Sequence, residues 1–128
     1  MADILTVEDS VALRSLIRGV LEGEGHTVYE AGDGAEGMVF ARENSVDLVL
    51  SDVNMPNMSG ISMVQKLRRL DDYKYIPIIM ITTERSDYKK NKARGSGATG
   101  WLVKPFTPED LLRVVNKVLS KDSVSTQP

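Results

Sequence analysis

Residues 46–60 read VDLVLSDVNMPNMSG, and their pattern is the clearest indication of the fold. Its first five residues are nearly all apolar, and residues 76–81 form a second run of the same kind, IPIIMI. Short apolar runs without alternation are typical of strands buried on both faces of a parallel sheet. Asp52 stands just after the first run, so we expect the sheet to present a carboxylate where a central strand ends.

Three further apolar segments, residues 4–7, 27–29 and 101–103, raise the number of predicted strands to five. Helical patterns alternate with them along the chain. Five βα units of this size predict an α/β fold with an open parallel sheet and helices on both faces. We therefore expect a flavodoxin-like (βα)₅ architecture with strand order 2-1-3-4-5, whose functional site lies at the carboxyl ends of the strands.

The predicted helices begin at side chains suited to N-terminal capping. These are Ser10, Asp33 (with Glu36 at capping-box spacing), Ser59, and Thr107 followed by Pro108. Residues 84–94 have almost no apolar face, so a helix there would pack weakly on the sheet. The residues expected to face the core are Leu13, Leu16, Ile17, Val20 and Leu21; Ala35, Met38 and Val39; Ile61, Val64 and Leu67; and Leu111, Leu112, Val115, Val118 and Leu119.

Composition narrows the class of protein. The chain has 128 residues, which favours one domain; we place it at residues 1–120 and expect a frayed tail over 121–128. A net charge of −2 gives no basic excess for binding nucleic acid. There are no cysteines, no signal-peptide pattern and no apolar run near membrane-span length. We expect a cytoplasmic monomer that does not insert into membranes.

Polar groups follow four of the five predicted strands: Glu8-Asp9, Asp52, Thr82 and Lys104. In the predicted strand order these groups meet at one edge of the sheet. Three carboxylates so close together oppose one another's ionisation unless cations intervene. Lys104 leaves a formal charge of −2, which a divalent ion would neutralise. All-oxygen ligands favour Mg²⁺, or Mn²⁺, over zinc.

Such a site suits phosphoryl transfer, which needs a nucleophile, charge neutralisation and positioning. A carboxylate can serve as the nucleophile and form an acyl phosphate. Asp52 is the best placed of the three acids. Thr82 and Lys104 are candidates to contact phosphoryl oxygens.

The same residues carry a resemblance to a known family. Glu8-Asp9 follow TV, Asp52 lies in LVLSDVNMPNMSG, Thr82 in IIMITTE, and Lys104 in GATGWLVKPF. Over residues 3–119 the chain resembles a response-regulator receiver domain, more narrowly the stand-alone chemotaxis regulators of the CheY type.

The resemblance implies that Asp52 accepts a phosphoryl group from a phosphohistidine of a sensor histidine kinase. It implies Mg²⁺ held by Asp9, Asp52 and the main-chain carbonyl of Asn54, with Glu8 acting largely through water. Asn54 and Glu84 stand where family members tune hydrolysis of the acyl phosphate, which we expect within seconds to minutes. The protein would be a phosphoacceptor that catalyses phosphotransfer to itself and its own dephosphorylation, rather than an enzyme.

The resemblance also implies a switch. Thr82 and Lys104 would bind phosphoryl oxygens, and a cis peptide bond is expected at Lys104-Pro105. Inward movement of Trp101, coupled to Thr82, would reshape the face formed by the 84–94 segment, the fifth strand and the C-terminal helix. That face would bind a protein target such as a flagellar-motor switch component or a phosphatase.

Three positions depart from the common family pattern. Glu8 stands where many members have Asp, Trp101 where Tyr or Phe is usual, and Thr83 where a small residue is frequent. Glu8 changes the reach to the metal because its side chain is longer than that of Asp, and Trp101 opposes full burial because its ring is larger. Thr83 narrows access to the phosphoryl group.

Other readings stay open at this point. A single-domain receiver can shuttle phosphate in a phosphorelay instead of acting in chemotaxis. A Mg²⁺-dependent aspartyl phosphatase of the haloacid-dehalogenase type would also use Asp52, but it wants a second acid where Asn54 stands. A flavodoxin-like electron carrier needs a phosphate loop after the first strand, where Glu8 and Asp9 would repel the FMN phosphate.

Overall fold

The computed structural model describes residues 1–83 and 97–125, with side chains described as far as residue 120. The strands are β1 (Asp3–Val7), β2 (Thr27–Ala31), β3 (Leu48–Asp52), β4 (Ile78–Thr82) and β5 (Gly100–Val103). The helices in these ranges are α1 (Val11–Gly23), α2 (Gly34–Glu43), α3 (Gly60–Leu67) and α4 (Pro108–Ser125), with a short 3-10 turn at Asp71–Tyr73.

The five strands form one parallel sheet in the order β2-β1-β3-β4-β5, which confirms the predicted fold. In this register Asp52 pairs with Ile81, and Thr82 pairs with Val103. The carboxyl ends of the four strands β1, β3, β4 and β5 therefore lie side by side at one edge.

Two apolar clusters sandwich the sheet. One lies under α2 and α3 and includes Leu5, Met63 and Tyr73. The other lies under α1 and α4 and includes Ile17 and Val115. Strands β3 and β4 contribute to both clusters and are buried along their whole length, as the unbroken apolar runs predict.

The capping predictions are confirmed at the level of atoms. The hydroxyls of Ser10 and Ser59 each accept a hydrogen bond from a backbone N–H in the first turn of α1 and α3. Thr107 and Asp110 bond reciprocally at the start of α4. At α2 only half of the predicted capping box forms. Asp33 accepts a hydrogen bond from the Glu36 N–H, but the Glu36 carboxylate accepts from the Gly32 N–H instead of the Asp33 N–H.

The predicted core face of α2 is wrong in part. Ala35 and Val39 point outward, and Val39 is 57% exposed. The buried residues are Gly34, Gly37, Met38 and Ala41. Glycines carry no hydrophobic signal, yet α2 packs through them: a Cβ on Gly37 would lie 3.0 Å from Met63 Sδ. In α1, Leu16 likewise remains 45% exposed.

Two predictions lie outside what the structure tests. The helix predicted over 84–94 falls within residues 84–96, which are outside the described residues. Helix α4 runs to Ser125, five residues past the predicted end of the domain at 120. The boundary between domain and tail stays a prediction. No helix among residues 1–83 and 97–125 has the length and apolarity needed to cross a bilayer.

Candidate functional site

Four of the candidate side chains stand at the ends of strands. Asp52 and Thr82 are the last residues of β3 and β4, and Glu8 and Lys104 directly follow β1 and β5. Backbone hydrogen bonds extend the sheet here: Val53 donates to Ile81 at 2.9 Å, and Lys104 donates to Thr82 at 2.8 Å. The strand ends are thereby fixed relative to one another.

The three acids converge. One carboxylate oxygen from each of Glu8, Asp9 and Asp52 lies within 4.8 Å of the others. Glu8 is completely buried and Asp52 is 5% exposed, whereas Asp9 is open to solvent. The cluster is thus a pocket of negative charge with one exposed side.

Lys104 lies between two of these acids. Its Nζ is 3.2 Å from Glu8 Oε1 and 3.4 Å from Asp52 Oδ1. Three acids and one lysine leave a formal charge of −2 at the cluster, as predicted from the sequence. Because Lys104 is only partly exposed, its attraction to the acids is weakly screened by water.

Burial dominates the electrostatics of the acids. It raises the pKa of Glu8 above its usual value, and the neighbouring Asp9 and Asp52 add to the rise, whereas the Ser10 N–H and Lys104 oppose it. Burial also raises the pKa of Asp52, partly offset by the Lys104 ammonium. Burial alone would lower the pKa of Lys104, but the carboxylates of Asp52 and Glu8 together raise it.

The residues present fit a divalent metal. Glu8 Oε2 accepts from the Ser10 N–H at 2.9 Å, but buried Oε1 accepts no well-aligned hydrogen bond from any described residue. Oε1 has the Lys104 ammonium 3.2 Å away as its ion-pair partner, but Asp52 shares that ammonium, and a further cation would neutralise the charge left by the three acids. The donors are oxygens alone, which suits a hard ion such as Mg²⁺.

The loop after Asp52 is tied down by contacts that the sequence reasoning missed. Gly60 packs so tightly that a Cβ there would lie 2.1 Å from the Asp52 carbonyl oxygen. Asn57 has a positive φ of 70° and donates its side-chain amide to Asp33 at 2.9 Å. Asn is a turn residue that tolerates a positive φ, so a turn at Asn57 could have been predicted from the sequence. Its hydrogen bond to Asp33, 24 residues away, could not.

The remaining predicted residues are placed as follows. Thr82 is buried, and Asn54, two residues after Asp52, is exposed. Trp101 is half-buried and packs against the apolar cluster that contains Tyr73. The Lys104-Pro105 peptide bond is cis, as the resemblance implied. Glu84 lies outside the described residues.

An apolar depression of about 470 Å³ opens beside the site. Its walls come from α1 and from the segment after β5, and Lys104 lies at its border. The lining residues are Leu13, Leu16, Thr83, Lys104, Pro105 and Phe106. The exposure of Leu16 makes sense here, because its side chain forms part of this wall rather than of the core.

Residues 4–116 match the response regulator receiver domain family, and the chain belongs to it. Receiver domains are phosphoacceptors of two-component signalling, not enzymes in the usual sense, and they interact with histidine kinases and downstream targets. The cluster lies at the carboxyl ends of the strands, where open α/β sheets of this kind bind their ligands.

Individual solved structures that resemble this chain are consistent with this family assignment. The chemotaxis response regulator CheY4 of Vibrio cholerae is 44% identical with a TM-score of 0.90, over 92% of this chain and 98% of that one. The receiver domain of the sensor histidine kinase PA1611 of Pseudomonas aeruginosa is 25% identical with a TM-score of 0.86, over 93% and 98%; its structure holds a magnesium ion in the active-site cleft.

A curated relative of nearly equal length is Protein PilH of Pseudomonas aeruginosa. It is 35% identical over 120 residues, which is 94% of this chain and 99% of PilH. By contrast, the chain spans only 50% to 60% of the length of the transcriptional regulators that it matches. It therefore corresponds to the receiver part of those longer proteins.

Proposed function

We propose that this protein is a phosphorylation-activated switch in which Asp52 accepts a phosphoryl group from a phosphohistidine of a sensor histidine kinase. The observation that carries the proposal is the convergence of Glu8, Asp9 and Asp52 within 4.8 Å, with Lys104 Nζ 3.4 Å from Asp52. Glu8 and Asp52 both contact this lysine, but Asp52 is itself the last residue of a strand that is buried along its whole length.

In the proposed step an Asp52 carboxylate oxygen attacks the phosphorus atom. A new P–O bond forms, the P–N bond to the donor imidazole breaks, and its electron pair returns to the nitrogen, which solvent protonates. In this proposal Lys104 neutralises charge on the phosphoryl oxygens, and the Thr82 hydroxyl would contact one of them. The attack requires no general base, since an ionised carboxylate has no proton to lose.

Mg²⁺ is the metal we propose, with Mn²⁺ as a substitute. Glu8, Asp9 and Asp52, with the main-chain carbonyl of Asn54, would hold it, Glu8 acting largely through water. When bound, the ion supplies charge neutralisation at the phosphoryl oxygens and offsets the mutual repulsion of the three acids. The magnesium ion in the PA1611 receiver domain supports this assignment.

Phosphorylation adds charge of roughly −1.5 to −2 to this crevice. We propose that Thr82 and Trp101 convert it into a change of surface shape, since both lie on the strands β4 and β5 next to Lys104. Trp101 is half-buried, so inward movement of its ring would bury more of its surface, although its size opposes full burial. Asn54 and Glu84 would tune the hydrolysis that resets the switch, which we expect within seconds to minutes.

The kinase and the target are proposed by class. The apolar depression bordered by Lys104 would offer the kinase an apolar contact surface beside the phosphoacceptor. The similarity to a chemotaxis response regulator supports a chemotaxis target, such as a flagellar-motor switch component or a phosphatase, over a phosphorelay role. Membership of a phosphoacceptor family does not favour the aspartyl-phosphatase alternative. A cytoplasmic, monomeric state stays a prediction.

Trp101, the sole tryptophan, provides the test. Its fluorescence should change when a small acyl phosphate is added with Mg²⁺, and should relax as the phosphoryl group hydrolyses. The Asp52→Asn variant should show no phosphodonor response. A wild-type signal that stays constant, or an equal response in Asp52→Asn, would contradict the switch.

A further inference from the structure

Arg14, in the first turn of α1, reaches back to the acidic loop. Its Nη1 donates to the Glu8 carbonyl oxygen at 2.7 Å, and its Nε donates to Glu30 Oε1 at 2.9 Å. The side chain is only 19% exposed. The planar guanidinium therefore joins α1, the end of β1 and the edge strand β2 in one rigid fork.

Glu8 is consequently held at its backbone from both sides. Its N–H donates to the Ala31 carbonyl at 3.0 Å, and its own carbonyl accepts from Arg14. Its side chain is held as well, through the bond from the Ser10 N–H to Oε2. Without Arg14, the carbonyl loses its charged donor and the Glu8-Asp9 backbone gains freedom to rotate.

We propose that Arg14 is a positioning residue for the cation site: it fixes the peptide that carries Glu8 and Asp9 so that both carboxylates reach the ion with Asp52. The inference rests on the metal site of the proposed function. Groups that orient metal ligands without touching the metal commonly matter for affinity by about 10- to 100-fold.

The direction of the effect separates this role from a simple charge effect. Arg14 is a cation close to a cation site, so removing its charge alone would strengthen metal binding. A positioning role predicts the opposite, because disordered ligands must be ordered again when the ion binds. Weaker binding after loss of a positive charge is therefore diagnostic.

Arg18 supplies a matched control. It lies one turn further along α1 and also pairs with Glu30, and its Nε lies 3.0 Å from Glu22 Oε2. None of its described contacts involves Glu8. Arg18→Gln thus removes the same charge and the same kind of Glu30 ion pair, but leaves the Glu8 carbonyl bonded to Arg14.

The experiment is a Mn²⁺ titration of the full chain, with free Mn²⁺ measured by electron paramagnetic resonance. The dissociation constant of Arg14→Gln should rise about tenfold, whereas that of Arg18→Gln should stay within about twofold of wild type. Arg14→Lys keeps the charge but has one nitrogen for two acceptors, so its dissociation constant should lie between those of wild type and Arg14→Gln. This variant also tests the proposal if Arg14→Gln does not fold.

Other outcomes are distinguishable. Equal or tighter binding by both Arg14 variants, with wild type binding normally, would overturn the positioning role and leave the metal site intact. Equal weakening in Arg18→Gln would show that the Glu30 ion pairs, not the Glu8 carbonyl, matter, and would also overturn it. Failure of wild type to bind Mn²⁺ would overturn the metal site and this inference together.

Discussion

Asp52 and Glu8 are ionisable groups that the fold buries at a cost. For a carboxyl whose pKa is raised in the folded state, the charged form is worse solvated there than in the unfolded chain. Lys104 offsets part of that cost but is shared between the two acids. At neutral pH, without metal, the site therefore lowers the stability of the molecule, and function explains its presence.

Removing the charge of Asp52 should stabilise the metal-free protein. We expect Asp52→Asn to increase the free energy of unfolding at neutral pH by about 1 kcal/mol, since a neutral amide of the same shape avoids the desolvation of a carboxylate. Urea unfolding measures this. Added Mg²⁺ should stabilise wild type and leave Asp52→Asn nearly unchanged.

Asp110→Asn is the control for this prediction. The pKa of Asp110 is lowered, chiefly because its carboxylate accepts the backbone N–H of Thr107, so its charge favours folding. The same substitution should therefore fail to stabilise the protein at this position. An Asp52→Asn variant that is less stable than wild type without metal would contradict the account of the site.

His26 should make stability depend on pH. Its Nδ1 accepts the Ala2 N–H at 3.0 Å, which requires a neutral ring, and burial together with the N-terminal ammonium lowers its pKa. Because the unfolded chain takes up the proton first, this contribution is complete above pH 6.5 and declines as the pH falls through that value. The chain has one histidine, so NMR titration of its ring gives the pKa directly. A value at or above 6.5 in the folded protein would contradict this.

At the scale of elements, the helices show where reasoning from apolar pattern works and where it does not. Caps at Ser10, Ser59 and Thr107 were predictable because capping is local in sequence. The buried face of α2 was not, because its contacts run through Gly34 and Gly37, whose burial only a three-dimensional neighbour such as Met63 reveals. The burial of Gly60 could not be predicted either, because the need for a glycine there comes from the packing of α3 against Asp52.

Two Gly→Ala substitutions should have opposite effects. At Gly60 a Cβ would lie 2.1 Å from the Asp52 carbonyl, so we expect a loss of about 3 kcal/mol in the free energy of unfolding and a displaced Asp52. At Gly19, inside α1, nothing lies within 4 Å, and we expect a gain of roughly 0.5–1 kcal/mol from helix propensity.

Thermal or urea unfolding of the two variants measures this difference. A Gly60→Ala variant as stable as wild type would show that α3 and the strand end can move apart freely. That result would contradict the expectation that the close packing of Gly60 holds the Asp52 carbonyl in place.

For the whole molecule, the sequence predicted the strand order and the edge at which polar groups meet. Buried parallel strands have a distinctive composition, the expected order is the one typical of flavodoxin-like folds with five βα units, and the carboxyl ends of parallel strands necessarily share one edge. The sequence predicted the convergence of Glu8, Asp9, Asp52 and Lys104 for the same reason. It could not predict the Arg14–Glu8 or Asn57–Asp33 contacts, which depend on side-chain directions between separate elements.

Asp52 is the phosphoacceptor that we propose for this crevice, and intact-mass measurement after incubation with a small acyl phosphate and Mg²⁺ is the direct test. Wild type should gain one phosphoryl group, and the gain should disappear when Mg²⁺ is chelated before the donor is added. Asp52→Asn, which keeps the shape of the side chain, should gain none. Modification of Asp52→Asn to the same extent as wild type, or no gain in wild type, would contradict the account.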